Sequence, residues 1–311
     1  MGWTLDDDPG RFAATAGDFL RSRAVENSVL LTVLDTLLRR GADAYGAEQP
    51  LFGYWRSGSG GEVAAAVLQT PPHPPLVSAA PPEAARALPE VWADAVTAGR
   101  AGVPTGVRGE AVAARAFAGG WRERAGGTVL VRRNTRFFRL AALTPREPAP
   151  PGAARVAGPS DRDLVLRWHR EFAVDVGGLI PGGEQAVDDA IAHGGRTLWE
   201  LPDGSPVSMA GATVPSGGAV RVVAVYTPKA HRGRGYAGAV VSAVSRAALD
   251  AGAREVLLVA DLANPVSNRL YQKLGYEPVR DAVELDFLPA GDAVLTPDPA
   301  RPEPEPRSRN P

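Results

Sequence analysis

Glycine and arginine residues cluster in one short segment, residues 227–237, directly after a run of β-branched residues. The run AVRVVAVY at Ala219–Tyr226 predicts a buried strand, and small and apolar residues over 236–251 predict a helix. Glycines let a backbone approach a ligand closely, and the N–H groups and positive dipole end of a helix start attract an anion. Arg232 and Arg234 would add positive charge. The segment therefore predicts a site for a phosphate-bearing ligand; a solvated Arg/Gly turn is the alternative.

The three glycines of this segment allow a second interpretation. Gly233, Gly235 and Gly238 match the G-x-G-x-x-G pattern of dinucleotide-binding sites. In that pattern the first glycine follows the strand directly. Here a charged, Pro-containing stretch, 227–232, intervenes. The spacing argues against NAD, and a nucleotide-linked oxidoreductase is kept only as an alternative.

Two separate stretches resemble one enzyme family. The sequence RGRGYA at 232–237 resembles the pyrophosphate-binding signature R/Q-x-x-G-x-G/A of the GNAT acetyltransferases. The sequence NPVSNRLYQKLGY at 264–276 resembles their second conserved stretch, N-x-x-A/S-x-x-L-Y-x-x-x-G-F/Y. One predicted helix and one predicted strand separate the two, as in the family. The resemblance covers about residues 154–287 and implies a GNAT fold there, a mixed, splayed sheet flanked by helices.

The resemblance also implies a reaction, acetyl transfer from acetyl-CoA as co-substrate to an amine. The amine attacks the thioester directly, so a chain without cysteine is compatible with it. Tyr271 matches the family's tyrosine that protonates the departing thiolate, although a packing role is the alternative. The acetyl carbonyl would face a strand N–H near Val225. The residues implied to contact acetyl-CoA are Val223, Val225, Tyr226, Thr227, Arg232, Gly233, Arg234, Gly235, Tyr236, Ala237, Asn264 and Ser267, with helix capping as the alternative for Asn264.

The general base is not identified by the sequence, because the strand Ala219–Tyr226 contains no acid. Glu171, Glu200 and Asp261 are candidates by position, each also explained as a solvated carboxylate. His169 and His193 are further candidates. The acceptor would be a small-molecule or peptide amine. Its pocket is expected from Trp168, Phe172 and the glycine-rich loop 176–183, which would suit a lid.

The remaining patterns predict the elements that position these residues. Ser160, with Asp163 three residues on, has the spacing of a capping box and predicts a helix start. Asn264 fits a helix N-cap, with Gly275 beyond the helix end. Helices are also predicted over 19–40, 82–99, 109–124 and 185–193, and strands over 128–140, 255–260, 276–279 and 282–287, which together indicate an α+β fold.

Composition bounds the partners and the location. The 311 residues carry a formal net charge of -1, so a nucleic-acid partner is not expected. No run approaches the roughly 20 apolar residues of a membrane span, and the acidic N-terminal residues do not resemble a signal peptide. A cytoplasmic protein is therefore expected. The four histidines show no metal-ligand spacing, so no metal is expected.

The chain is predicted to contain two domains. Residues 1–147 would form a non-catalytic α+β domain. It resembles the degenerate N-terminal half of two-domain actinobacterial GNAT proteins through Val25-Glu26-Asn27, the hairpin at Trp55–Thr70 and Thr70-Pro71-Pro72. Residues 148–153 would be a Pro-rich linker, 154–288 the acyl-CoA-binding domain and 289–311 a disordered tail. The halves are expected to pack as a pseudo-dimer. A non-catalytic acyl-CoA sensor is the alternative function.

Overall fold

A computed structural model describes residues 2–58, 61–177 and 183–290 of the chain. The predicted tail beyond residue 290 and the centre of the predicted lid, residues 178–182, lie outside them. None of the helices in these ranges combines the length and the apolar character that crossing a bilayer requires.

The two halves of the chain repeat one order of elements, β-α-α-β-β-β-α-β-α-β. The first half consists of β1 (Gly2–Asp6), α1 (Pro9–Ser22), α2 (Ser28–Arg40), β2 (Leu51–Arg56), β3 (Val63–Gln69), β4 (Leu76–Val77), α3 (Pro82–Thr97), β5 (Gly106–Glu110), α4 (Ala111–Ala125) and β6 (Thr128–Leu140). The second consists of β7 (Ala153–Val156), α5 (Arg162–Asp175), α6 (Gly183–Ala192), β8 (Arg196–Glu200), β9 (Pro206–Ala212), β10 (Ala219–Tyr226), α7 (Tyr236–Asp250), β11 (Glu255–Asp261), α8 (Pro265–Lys273) and β12 (Tyr276–Leu288).

All twelve strands form one mixed sheet in which the halves exchange their last strands. The strand order is β1-β2-β3-β4-β5-β12-β6-β11-β10-β9-β8-β7. Strand β12 of the second half pairs antiparallel with β5, with Val283 opposite Gly109. Strand β6 of the first half pairs antiparallel with β11, with Phe138 opposite Leu258. The halves are therefore related as the expected pseudo-dimer, whereas the domain boundary at 148–153 stays a prediction.

Helices cover both faces of each half of the sheet. In the first half α1 and α2 pack on one face through residues such as Phe12 and Leu34, and α3 and α4 pack on the other through Trp92 and Phe117. In the second half α7 and α8 enclose a core that also includes Phe138 from the first half. Burying one such side chain contributes about 1.5–3 kcal/mol. The exchanged strands thus complete the cores on both sides of the molecule.

Several predicted boundaries are corrected. The helix expected at Ser160 begins at Arg162, because the Asp161 carboxylate accepts a 2.8 Å hydrogen bond from the Gly158 N–H and closes the capping interaction one turn earlier. The long pattern over 19–40 divides into α1 and α2, and the two closing strands are one strand, β12, with two register shifts. The helix predicted from Gly109 begins at Ala111, because residues 106–110 form β5.

Candidate functional site

The strands β10 and β11 separate partway along their length. Their parallel pairing runs from Ala219 opposite Glu255 to Val222 opposite Leu258 and then ends. On the other edge of β10 the register with β9 shifts between Val223 and Tyr226. Ala224 has a φ of +50°, a value that side chains other than glycine rarely adopt. Ala224 and Val225 consequently have no strand partner on either side.

A cavity of about 470 Å³ occupies the gap between the two strands. Its walls include Val223 and Val225 of β10 and residues 258–261 of β11. Helix α8 contributes Ser267 near its start and Tyr271 near its end. Of the residues predicted to bind acetyl-CoA or to protonate the thiolate, those on this wall are Val223, Val225, Asn264, Ser267 and Tyr271. The candidate base Asp261 and the predicted pocket residue Phe172 also line it.

The loop from Thr227 to α7 carries a row of backbone donors. Gly233 and Gly235 have φ values of +78° and +91°, in the left-handed region that glycine adopts without a steric penalty. The backbone N–H groups of residues 233–238 have no hydrogen-bond acceptor within the described part of the chain. A row of such donors at a helix start is suited to binding an anion.

Arg232 braces this loop. Its Nε donates a 2.9 Å hydrogen bond to the Thr227 carbonyl, and its Nη2 pairs with the Asp175 carboxylate of α5. The guanidinium lies 5.9 Å from the Tyr226 ring centroid. Arg234 is exposed, Tyr236 is buried in the core and Ala237 is half-buried. Among these residues, Arg234 is the exposed cation whose guanidinium is free to meet a phosphate.

A second cation, Arg146, reaches the loop from the Pro-rich segment between the halves. A methyl group built on Gly235 would lie 2.7 Å from Nη1 of Arg146, so the guanidinium rests directly over this glycine. Arg146 was not predicted from the sequence, because its proximity to Gly235 depends on the path of the chain after β6.

Tyr271 lies on the cavity wall between two aromatic rings. Its centroid is 6.4 Å from that of Phe138 and 6.3 Å from that of Tyr276. The side chain is 8% exposed. Burial, with a smaller contribution from Tyr276, raises the pKa of its phenol above the ordinary value. The hydroxyl therefore stays protonated at neutral pH, as a proton donor must.

Asn264 acts as the N-cap of α8. Its Oδ1 accepts a 3.1 Å hydrogen bond from the Ser267 N–H, and the Ser267 hydroxyl donates to the Asn264 carbonyl. The capping interpretation is thereby confirmed, and both residues also line the cavity. Contact of either residue with acetyl-CoA stays a prediction.

The candidate bases have different surroundings. Glu171 accepts a 2.7 Å hydrogen bond from the Tyr226 hydroxyl, and burial together with this bond raises the pKa of Tyr226 to about 12. Glu200 forms a 2.7 Å ion pair with Arg155. Asp261 lines the cavity, 3.8 Å from Nε of Arg133.

Two further carboxylates line the same cavity and were missed. Glu26 follows α1 in the first half, and Glu284 lies on the exchanged strand β12. The sequence contains a partial indication of Glu26, because Val25-Glu26-Asn27 is one of the stretches that resemble two-domain GNAT proteins. The alternation of β12 offers a similar signal for Glu284. Neither signal indicates the cavity, because both residues reach it only through the packing of the halves.

His169 is a buried residue that contacts Arg196, and its burial predicts that the stability of the protein depends on pH. Arg196 Nε donates to His169 Nε2 at 3.2 Å, and burial together with the Arg196 charge lowers the pKa of His169 to about 4. In the unfolded chain the His169 imidazole binds a proton near pH 6.5. The free energy of unfolding therefore includes a contribution from His169 that is complete above pH 6.5 and is lost as the pH falls towards 4.

We expect the free energy of unfolding to fall by roughly 2 kcal/mol more between pH 7 and pH 4.5 in the native chain than in His169→Gln. Urea titrations at the two pH values measure this, and equal losses in both proteins would contradict it.

The first half lacks the features described for the second. Its connection from β4 to α3 spans only residues 78–81 and contains neither glycine nor arginine. Strands β4 and β5 remain paired, and a methyl group on Gly109 would lie 2.1 Å from the Val77 carbonyl oxygen. The seventh residue of α8 is Tyr271, whereas the seventh residue of α4 is Phe117, which has no hydroxyl.

Comparison with known proteins agrees with this architecture. Residues 203–284 match the family model described as FR47-like protein. No curated protein sequence matches the chain. A GCN5-related N-acetyltransferase from Sphaerobacter thermophilus aligns with a TM-score of 0.58 at 18% identity, covering 93% of this chain and 96% of that one. A GCN5-related N-acetyltransferase from Kribbella flavida aligns with a TM-score of 0.55 at 19% identity, covering 85% and 95%.

A third structure likewise aligns over both halves of the chain. The tandem GNAT protein from the clavulanic acid biosynthesis pathway aligns with a TM-score of 0.58 at 15% identity, covering 93% of this chain and 99% of that one. Structural similarity at identities this low shows a shared fold and does not indicate a substrate. Residues 203–284 thus match one family model, and most of the chain shares the fold of these GNAT proteins. The predicted resemblance and the α+β fold class are thereby confirmed.

Proposed function

We propose that this protein is an N-acetyltransferase that uses acetyl-CoA as the donor. The observation that carries the proposal is the continuity of two unpaired backbone surfaces. The edge of β10 that faces β11 lacks a strand partner at Val223–Val225, and it leads into the row of free N–H groups at residues 233–238. An extended chain of amides that ends in a pyrophosphate complements both surfaces in that order.

Each surface has a distinct role in this proposal. The N–H groups of residues 233–238 hold the pyrophosphate, with Arg146 and Arg234 adding positive charge. The unpaired edge of β10 pairs with the amides of the pantetheine arm. The Val225 N–H donates to the acetyl carbonyl oxygen, where negative charge develops during the reaction.

The chemistry is a direct displacement. The lone pair of the neutral acceptor amine attacks the acetyl carbon, so a C–N bond forms as the C–S bond breaks. The amine proton passes to a carboxylate of the cavity, directly or through water. The Tyr271 hydroxyl donates its proton to the departing sulfur. The proposed acceptors of the amine proton are the acidic residues of the cavity lining, Asp261, Glu26 and Glu284.

The first half has a different role in this proposal. It is non-catalytic, because its β4–α3 connection and Phe117 cannot supply a phosphate loop or a phenolic proton. It completes the cavity of the second half instead, through the Phe138 ring beside Tyr271 and the Glu26 carboxylate.

Calorimetric titration with acetyl-CoA, with NADH for comparison, tests the binding part of the proposal. We expect low-micromolar binding of acetyl-CoA alone. Arg146→Ala should weaken this binding about tenfold, because a charge-assisted contact to phosphate is lost. Arg124→Ala, which removes an exposed arginine of α4, serves as the matched control and should bind normally.

The outcomes separate the interpretations. Absence of acetyl-CoA binding would refute the proposed function. Binding of NADH instead would support the nucleotide-linked alternative. Normal acetyl-CoA binding by Arg146→Ala would show only that the guanidinium over Gly235 does not contact the phosphates.

A further inference from the structure

Besides Arg133 of β6, which lies 3.8 Å from Asp261, three arginines from different strands line the cavity that contains Tyr271. Arg108 lies on β5 of the first half, Arg221 on β10 of the second half and Arg280 on the exchanged strand β12. We call them the arginine cluster. Because three separate strands supply them, the cluster exists only where the two halves meet.

The cluster holds hydrogen-bond donors that have no acceptor. Nε of Arg108 and both Nε and Nη1 of Arg280 are shielded from solvent, and none has a hydrogen-bond partner in the described residues. Nη2 of Arg280 donates to the Glu26 carbonyl, and its guanidinium stacks 4.1 Å from the Phe137 ring centroid. Arg221 has one side-chain partner in these residues, the Thr32 hydroxyl at 3.3 Å.

The arginine cluster is buried, and the nearby carboxylates offset the effect of burial only in part. Burial lowers the pKa of Arg108 against the opposing charge of Glu284, and that of Arg280 against the charges of Glu110 and Glu26. Burial also lowers the pKa of Arg221 to about 10. All three remain charged at neutral pH. Within the described ranges none forms an ion pair with a carboxylate. Buried charges of one sign call for a counter-charge, and a guanidinium fork matches the two oxygens of a carboxylate.

The same cavity also carries negative charge. Glu26 and Glu284 line it together with the cluster, and their charges act on Arg280 and Arg108, so both signs of charge occur at the cavity. A zwitterion satisfies both, with its carboxylate on the arginines and its ammonium on the acids. The nearby acids also reduce the positive potential, which favours a singly charged carboxylate over a doubly charged phosphate.

The available volume is that of a small molecule. The cavity of about 470 Å³ adjoins a second one of about 650 Å³, and Arg108, Arg221, Val29 and Val223 belong to the walls of both. A compound anchored at the junction would have room for a side chain in either direction. Its amine would remain near Val223–Val225, the edge along which the acetyl group would lie.

We therefore propose, building on the proposed acetyl transfer, that the acceptor is an amine bearing a carboxylate, an amino acid or a compound of that kind, whose carboxylate binds the arginine cluster. The sequence shows no such cluster, because Arg108, Arg221 and Arg280 lie in three separate stretches with different neighbours.

Paired acceptors test this directly. Release of free thiol from acetyl-CoA is measured with L-leucine, L-phenylalanine and L-glutamine, each compared with the amine formed by removing its α-carboxylate. Phosphoethanolamine represents a phosphate-bearing amine. We expect at least one carboxylate-bearing amine to have a kcat/KM about 100-fold above that of its partner. Decarboxylated amines equal to or better than their partners, or phosphoethanolamine as the best acceptor, would overturn the proposal.

A binding measurement avoids dependence on turnover. N-acetyl-L-leucine, N-acetyl-L-phenylalanine and N-acetyl-L-glutamine, the corresponding products, are titrated calorimetrically. Each is compared with the same compound whose α-carboxylate is converted to an amide. Arg108→Met and Arg280→Met should weaken binding of the carboxylate form about 10- to 100-fold and leave acetyl-CoA affinity unchanged, and Arg124→Met should change neither. Failure of every carboxylate form to bind better than its amide would refute the carboxylate site, whereas loss of acetyl-CoA binding by the native protein would refute the proposed function itself.

Discussion

Replacing Tyr271 with phenylalanine is expected to lower kcat for acetyl transfer by about 100-fold, the lower end of what a positioned proton donor contributes. The departing CoA thiolate would have to take its proton from water in a cavity that Phe138 and Tyr276 partly enclose. The ring of phenylalanine fills the same space, so the packing of α8 against the sheet should persist. The Kd of acetyl-CoA should therefore stay within about twofold of the native value.

Tyr276 provides a matched control for this experiment. It is buried beside Tyr271, but its hydroxyl makes a 2.7 Å hydrogen bond with the Ser245 hydroxyl. Tyr276→Phe should cost about 1 kcal/mol of stability and leave kcat close to native. Thiol release under saturating acetyl-CoA and acceptor measures both variants.

The outcomes decide between two functions. An unchanged kcat in Tyr271→Phe at every pH tested would exclude Tyr271 as the acid. A native protein that binds acetyl-CoA but acetylates no amine would favour the alternative of a non-catalytic acyl-CoA sensor. An equal fall in kcat for Tyr276→Phe would show that packing rather than proton donation is affected.

Separating the two halves of the chain is expected to unfold both. Val283 and Leu285 of β12 are 0% and 2% exposed within the core formed by α3 and α4 of the first half. Phe138 of β6 is 1% exposed within the core of the second half. Residues 1–147 and 148–311, produced separately, would each lack a central strand and expose its apolar neighbours.

Circular dichroism melts and size-exclusion chromatography measure this outcome. Neither fragment alone should show a cooperative transition, whereas the two produced together should associate and melt as one unit. A chain ending at residue 290 is the control and should melt like the full chain, because the packed elements described here end before that residue. A cooperative melt of either isolated fragment near the native Tm would contradict the prediction.

The sequence by itself determined those elements of the site whose conformation depends only on residues adjacent in the chain. The strand Ala219–Tyr226, the glycine loop after it, the start of α7 and the Asn264 cap of α8 are all specified by local hydrophobic period, backbone freedom and capping. Local pattern also placed β6 as a strand. It did not reveal β5, because five residues containing two glycines carry little strand signal.

The tertiary structure alone decided which residues share the cavity. Phe138 lies beside Tyr271, and Arg280 shares a cavity with Arg108 and Arg221, only because β6 and β12 are exchanged between the halves. Arg146 reaches Gly235 for the same kind of reason, through the path of the chain that follows β6. Spacing along a chain constrains neighbours within a helix or a hairpin, whereas contacts between residues more than a hundred positions apart depend on how strands pair across the whole sheet.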